Sequence, residues 1–246
     1  MAAGILSGKI AVITGSSSGI GLAIAKDFAD AGATVIITGV RREKIDTALK
    51  TLPEGCWGEA FSVADSKAVA DFFSKVGARH GKIDVLVNNA GIGKLAPIVN
   101  MADEEWHEML GIHLDGTFFC TREALKLMIP KKSGKIINIA SICGLTGCAA
   151  LSHYSAAKGG ILGFTKAVAR EVIGFGINVN AIAPGYIDTP LLGAFDKASL
   201  DYVVSQIPEG RLGETQEISS LALWLASKGG DFMVGQAVSP NGGQVI

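Results

Sequence analysis

The sequence contains no run of the roughly 18 unbroken apolar residues that a membrane-spanning helix requires, although 48% of the chain is hydrophobic. Its charges nearly cancel, with 22 Lys and Arg against 23 Asp and Glu. With no block of like sign, that balance leaves no electrostatic footprint for nucleic acid or an anionic membrane surface. Cysteine is scarce. Cys56, Cys120, Cys143 and Cys148 form neither a CxxC pair nor a Cys/His cluster, so no metal site is expected and the four are read as free thiols in a reducing compartment. No Pro-rich or Ser/Gly-rich linker divides the chain, and there is no internal repeat, so one domain covering 1–246 is expected. The opening MAAGILSGKIAVITG lacks a basic n-region and runs straight into a glycine-rich turn. No secretory leader is therefore expected, and the protein is expected to be soluble and cytoplasmic.

What the chain does have is glycine, 32 residues, and short β-branched runs: KIAVIT from Lys9, TVIIT from Thr34, IDVLV from Ile83, KIINIA from Lys135 and INVNAIA from Ile177. Apolar runs without alternation suit parallel strands covered on both faces. Between them Ile20–Asp30, Ser66–His80, Asp103–Met128 and Ser155–Ile173 carry helical periodicity. Such alternation implies right-handed crossovers and an α/β fold with a doubly wound parallel sheet of Rossmann type.

Two turns stand at expected strand ends. Gly15-Ser16-Ser17-Ser18-Gly19-Ile20-Gly21 follows the first run and opens a helix. Glycines there let the backbone approach a pyrophosphate, which meets free N–H groups and the positive end of the helix dipole. Asn88-Asn89-Ala90-Gly91 closes the run from Ile83, at the carboxyl edge where open α/β sheets bind ligands. Read alone, either motif is equally an ordinary tight turn.

A third motif is chemical. Tyr154 and Lys158 are one helical turn apart, which puts the ammonium on the phenol's face of the helix. A free phenol titrates at about 10 and is a poor base near neutrality; a neighbouring positive charge is expected to lower that value and make the pair usable for acid/base chemistry. Ser141 ends the run KIINIA, where its hydroxyl can hold a carbonyl oxygen beside the phenol. Ser155, Ala156, Ala157, Gly159 and Gly160 are small and are expected to leave room for a cofactor and a neighbouring subunit.

Taken together, the glycine turn, NNAG, Ser141, Tyr154-xxx-Lys158, the segment Pro184-Gly185-Tyr186-Ile187-Asp188-Thr189 and the tail Asn241-Gly242-Gly243 resemble the short-chain dehydrogenase/reductase family over nearly the whole chain. The resemblance implies a sheet binding NAD or NADP, and a homotetramer or homodimer. It implies that Tyr154 passes a proton to a ketone oxygen, or takes one from an alcohol, while Ser141 polarises that oxygen. Lys158 would also hold the nicotinamide ribose, and Pro184, Gly185, Ile187 and Thr189 would cradle the nicotinamide. Gly15, Ser17, Ser18, Gly19, Ile20 and Gly21, with Asn89, Ala90 and Gly91, would complete the dinucleotide site.

Three positions depart from the family pattern. His113 stands where the family usually has a relay asparagine; a neutral imidazole both donates and accepts, so it is expected either to replace the amide or to be a packed helix residue. At the end of the second strand Arg41 and Arg42 follow Val40 and no acid is present, which favours NADP over NAD by charge complementarity with a 2′-phosphate. Ser62-Val63 replaces an Asp-Val pair that contacts adenine; Ser62 retains one hydrogen bond for it.

The segment 190–211 matches the position of a helical substrate lid. Leu191, Leu192 and Phe195, facing Leu145, Cys148 and Leu151, would line a mostly apolar pocket, while His153, Cys143 and Cys148 are expected to shape it. The leading expectation is an NAD(P)-dependent alcohol dehydrogenase or carbonyl reductase acting on a neutral, partly apolar substrate. A 3-oxoacyl-thioester reductase is the same chemistry on a carrier-bound substrate, with Lys131-Lys132 as the one basic docking candidate. A dinucleotide-binding regulator without turnover would be expected to lose Ser141, Tyr154 or Lys158, and all three are present.

Overall fold

The computed structural model describes residues 4–194 and 196–246. Seven parallel strands form one sheet: β1 (Ile10–Ile13), β2 (Thr34–Gly39), β3 (Trp57–Ala60), β4 (Val85–Asn88), β5 (Gly134–Ile139), β6 (Ile177–Ile182) and β7 (Ala237–Val238), in the order β3-β2-β1-β4-β5-β6-β7. The helices around it are α1 (Gly19–Asp30), α2 (Arg42–Leu49), α3 (Ser66–His80), α4 (Asp103–Leu110), α5 (Gly116–Met128), α6 (Cys143–Thr146), α7 (Ser152–Val172), α8 (Lys197–Ser205) and α9 (Thr215–Ala226). The fold is a doubly wound Rossmann-type α/β sheet in a single domain.

Both faces of the sheet are covered, which is why its central strands read as unbroken apolar runs. Side chains alternate along a strand. Ala11 and Ile13 of β1 therefore pack with Ile24, Phe28, Ile218 and Leu225 on one side. Ile10 and Val12 pack with Phe72, Val76, Ala124 and Val168 on the other. The winding reverses between β1 and β4, both of which pair directly. Their carboxyl ends, Thr14-Gly15 and Asn88-Asn89, thus flank the crevice in which such sheets bind ligands.

Three features differ from the sequence reading. The edge strands β3 and β7 were not among the expected runs: WGEA has no apolar pattern and is only half-buried, and β7 is two residues long. The helix expected over Asp103–Met128 is interrupted by five residues of π-helix, Gly111–Asp115, the kind of local expansion that commonly re-aims a side chain at a functional site. Here it carries His113 into the interior. The cysteines are not all free. Cys143 and Cys148 are joined by a disulfide, while Cys56 and Cys120 are free. Folding brings the Cys143 and Cys148 Cα atoms to 5.1 Å, within bridging range. Spacing alone does not disclose this.

Candidate active site

Three side chains hold the crevice open. Thr14 Oγ accepts from the amides of Asn89 (3.0 Å) and Ala90 (3.1 Å). The Asn89 side-chain amide donates back to the carbonyls of Thr14 and Gly15, each at 3.0 Å. Ser16, fully buried, donates to Ile13 O at 2.6 Å and accepts from Thr38 N at 3.2 Å. Behind them a buried ladder runs across the sheet: Asn88 donates to Thr121 (2.9 Å) and Asn138 (2.8 Å), and Asn138 donates to Thr165 (2.9 Å). Asn138 is absent from the sequence reading, where the available signal was a polar residue inside an otherwise apolar strand, and Asn88 enters there only as part of the NNAG turn.

This end of the sheet fits a dinucleotide. A Cβ on Gly15 would approach Ala90 Cα to 2.6 Å, and one on Gly21 would meet Gly15 O at 2.6 Å, so both positions require glycine. Gly19 has φ 56°, in the left-handed region. The amino end of α1 has no side-chain cap and no acidic residue in its first turn, leaving its N–H groups and dipole directed at the crevice. Ser17 is half-buried beside Gly39, and Ser18 and Ile20 flank Gly19. The PGYIDT segment folds over this helix end, with Thr189 Cβ 3.6 Å from where a Gly19 Cβ would stand. Ile187 is buried, and the chain is pinned by Ile142 N to Pro184 O (3.0 Å) and Gly185 N to Pro240 O (2.9 Å).

At the far edge of the crevice the two arginines separate. Arg42 is occupied, pairing with Asp46 at 2.7 Å and donating to Gly58 O at 3.1 Å. Arg41 is exposed and precedes the first turn of α2. Ser62 is exposed, and its hydroxyl accepts from Ala64 N at 3.3 Å. Val63 is buried against Gly116, where a Cβ would meet Val63 Cγ2 at 2.7 Å.

The reacting end lies on α7. Tyr154 is half-buried and Lys158 is only 4% exposed. The Lys158 ammonium donates to Ile139 O at 2.6 Å and sits 5.5 Å from the Tyr154 ring centre. Burial without a carboxylate partner pulls Lys158 down to about 7. The Tyr154 phenol is pushed up by burial and drawn back by hydrogen bonding with Ser141. This corrects the expectation that Lys158 lowers the phenol's pKa. Before substrate and cofactor enter, desolvation governs both groups and favours their neutral forms. Ser141 is buried, and its oxygen also accepts from Cys143 N at 3.1 Å.

His113 is 2% exposed, with its ring edge-on to Tyr154 at 5.2 Å between centres. Burial, with Lys158 nearby, holds it down to about 3, so the imidazole is neutral. Its Nε2 faces both the amide (3.0 Å) and the carbonyl (2.9 Å) of Ile92, while Nδ1 is buried without a protein partner. Gly91 is the seat of this ring, since a Cβ there would collide with it. The imidazole therefore ties the loop after β4 to the tyrosine. His153 is fully buried, and neither of its nitrogens has a protein partner.

The small residues of α7 leave less room than expected. Gly159 packs toward Gly144, Gly160 toward Leu114, and Ser155 Oγ accepts from Cys148 N at 3.1 Å. Leu145 and Leu191 remain 44% and 49% exposed, with Leu192, Cys148 and Leu151 half-buried. Phe195 lies outside the described residues. Lys131 and Lys132 are both exposed at the end of a short 3-10 turn, with Lys132 at φ 51°. Among the described residues no cluster of His, Cys, Asp and Glu is placed to hold a metal, and no helix is long and apolar enough to cross a membrane.

A family profile described as enoyl-(acyl carrier protein) reductase matches residues 15–244. The chain is 38% identical to the 3-oxoacyl-(acyl-carrier-protein) reductase FabG of Thermotoga maritima over 245 residues, covering 98% of this chain and 99% of the relative. It is 37% identical to the protein of that name from Escherichia coli over 239 residues (97% and 98%). It is 40% identical to that from Chlamydia trachomatis over 248 residues (98% of each). The chain belongs to the short-chain dehydrogenase/reductase family. It is an oxidoreductase of the kind that interconverts a ketone and a secondary alcohol with a nicotinamide dinucleotide.

The buried lysine has a thermodynamic signature. Its folded-state pKa, about 7, lies below the ordinary 10.5, so between these values the unfolded chain binds more protons and stability rises with pH; below about 7 the full burial cost remains. Lys158→Met is expected to stabilise the cofactor-free protein at about pH 6 by on the order of 2–4 kcal/mol. The gain should shrink as pH rises toward 10.5, as read from urea unfolding of both proteins across that range. A pH-independent difference would mean that Lys158 stays charged in the fold.

Proposed function

We propose that the protein reduces the ketone of a 3-oxoacyl thioester with NADPH, Tyr154 donating the proton to the ketone oxygen and Ser141 polarising it. The observation that carries this reading is the hydrogen bonding of Tyr154 with Ser141, in a chain that also exposes the apolar Leu145, four residues after Ser141, and Leu191, packed toward Gly93. Relatives named as 3-oxoacyl-(acyl-carrier-protein) reductases, aligned along nearly their full length, favour an acyl thioester over a small free alcohol or ketone. Exposed leucines suit an acyl chain.

When bound, NADPH supplies the hydride. The chain's own residues do the rest. Gly15, Gly19 and Gly21 admit the pyrophosphate to the α1 amino end, and Asn89, Ala90 and Gly91 line the facing loop. Pro184, Gly185, Ile187 and Thr189 border the nicotinamide, and Ser62 and Val63 the adenine. Tyr154, left as phenolate after proton transfer, is stabilised by the Lys158 ammonium one turn away. A Lys158 pKa of about 7 lets that group exchange its own proton near neutrality. His113 acts as a positioning residue, fixing Tyr154 against the loop after β4. Arg41, which unlike Arg42 has no hydrogen-bond or ion-pair partner among the described residues, would receive the 2′-phosphate, which favours NADPH over NADH. Pro190–Ala194 and α8 form the lid over 190–211, with Leu191 reaching toward Gly93. The reading includes an assembly of two or four copies, for which Phe118 on α5 and Trp224 on α9, 42% and 43% exposed, offer apolar surface.

Single-turnover reduction of acetoacetyl-coenzyme A tests the chemistry. Tyr154→Phe should lower the rate by about 100-fold or more, with NADPH affinity nearly unchanged. His113→Asn should keep most of the rate, and His113→Leu should lose it beyond any loss of folded protein. A normal rate in Tyr154→Phe would remove the tyrosine from the reaction; a normal rate in His113→Leu would make the histidine a packing residue.

The cofactor choice is tested by fluorescence titration. Arg41→Ala should weaken NADPH binding by about 1.5–3 kcal/mol, the value of a charge-assisted contact, leaving NADH unaffected. Arg42→Ala should change neither strongly. Equal losses for both cofactors in Arg41→Ala would contradict a 2′-phosphate site.

A further inference from the structure

The wall on the substrate side of Ser141 is a covalent ring. Cys143 and Cys148, joined by the disulfide, enclose Gly144-Leu145-Thr146-Gly147. One end of the ring touches a reacting group and the other touches the neighbour of one. The Cys143 amide donates to Ser141 Oγ at 3.1 Å, and the Cys148 amide donates to Ser155 Oγ at 3.1 Å, one residue beyond Tyr154. Gly144 rests on the backbone of Lys158, where a Cβ would come within 2.7 Å of its carbonyl carbon. Leu145, an exposed apolar residue, lies within the ring.

The ring and the residues after it include two left-handed conformations. Gly147 has φ 76°, and Ala150 has φ 58°, a left-handed value that a non-glycine residue adopts only when its surroundings enforce it. Ala150 O is anchored by Ala96 N at 2.8 Å, in the loop that carries on from Gly91. The disulfide thus closes the turn that leads into Ala150, between the Ser141 and Tyr154 supports.

We propose that the Cys143–Cys148 bond is a thiol–disulfide switch on substrate binding: when oxidised it holds the acyl wall in place, and when reduced it releases the segment 144–151. This rests on the reductase reading given above. Cys148 is half-buried and Cys143 buried, so a dithiol reductant reaches Cys148 Sγ first. Its thiolate attacks that sulfur, forming a mixed disulfide, and Cys143 leaves as a thiolate that takes up a proton. The reductant's second thiolate then displaces Cys148. The net exchange converts one protein disulfide and one dithiol into two protein thiols and one reductant disulfide. Of the two free cysteines, Cys120 is buried with its thiol pushed up to about 12, which leaves it protonated and inert. The glycine turn and the NNAG loop of the dinucleotide crevice follow β1 and β4 and open α1, none of which contains a residue of the ring.

The test uses the full chain equilibrated in dithiothreitol buffers of graded thiol-to-disulfide ratio. Cys143 and Cys148 thiols are counted by acid-quenched alkylation and mass spectrometry. Hydrogen exchange over 144–151, KM for acetoacetyl-coenzyme A and NADPH affinity are then measured at each ratio. The two thiols should appear together, with faster exchange in 144–151 and a KM raised about five-fold or more as the wall loses its position, while NADPH affinity stays constant. Cys148→Ser should show the reduced-state values in every buffer, and Cys56→Ser should switch like the parent. The proposal is overturned if the pair remains alkylatable in the most oxidising buffer, or if exchange and KM are the same in both states. Absence of any thioester reduction would count against the reductase reading; alkylation and exchange would still decide whether the ring opens.

Discussion

A lysine with no carboxylate partner lies inside this protein, 4% exposed, its ammonium held by one 2.6 Å hydrogen bond to the carbonyl of Ile139. Such a group is costly to bury in its charged form, and the arrangement of the site follows from where that cost is accepted. Ile139 is the last residue of β5, two before Ser141, so the bond joins the strand that presents the serine to the helix that presents the tyrosine. Gly144 allows the intervening segment to lie directly on the Lys158 backbone. The neutral, edge-on His113 completes the enclosure without adding a second charge. Desolvation is the common cause: it lowers Lys158 toward neutrality, holds His113 neutral and keeps Tyr154 protonated. A protonated phenol is the form required to donate to a ketone oxygen.

The dinucleotide side is organised by the opposite rule, the absence of side chains. Glycines 15 and 21 leave the backbone bare, and the α1 amino end is left uncapped. The shape of that bare turn comes from neighbours that bond to it sideways: Thr14 and Asn89 lace β1 to β4, and Ser16 laces β1 to β2. A turn so fixed loses little conformational freedom when a ligand arrives. The two halves meet at Ser141 and the PGYIDT segment, whose backbone is pinned to the tail at Pro240.

The central architecture was legible because it is written in local patterns. Five apolar runs became β1, β2, β4, β5 and β6, and the glycine turn and NNAG fall at the carboxyl ends of β1 and β4. What was not legible depends on tertiary packing. WGEA pairs as β3 because β2 offers it an edge, not because of its composition. The π-turn that carries His113 inward is one extra residue in a helical rod whose periodicity looks continuous. The disulfide needs two Cα atoms brought together by folding. The lysine's effect on the tyrosine was misread because a one-turn spacing reveals proximity, whereas the direction of both pKa shifts is set by burial, a property of the whole fold. Arg41 and Arg42 look equivalent in sequence; only the partners Asp46 and Gly58 distinguish them.

The site depends on a fold that strips Lys158 of most of its preference for the charged form, and NMR can observe that directly. Lysine-selective labelling with carbon-13 at Cε, with Lys158→Met assigning the resonance, allows the titration to be followed in the cofactor-free protein. The predicted midpoint is about 7. A midpoint at the ordinary lysine value of 10.5 would contradict this, because it would mean that the ammonium is charged and compensated in the fold.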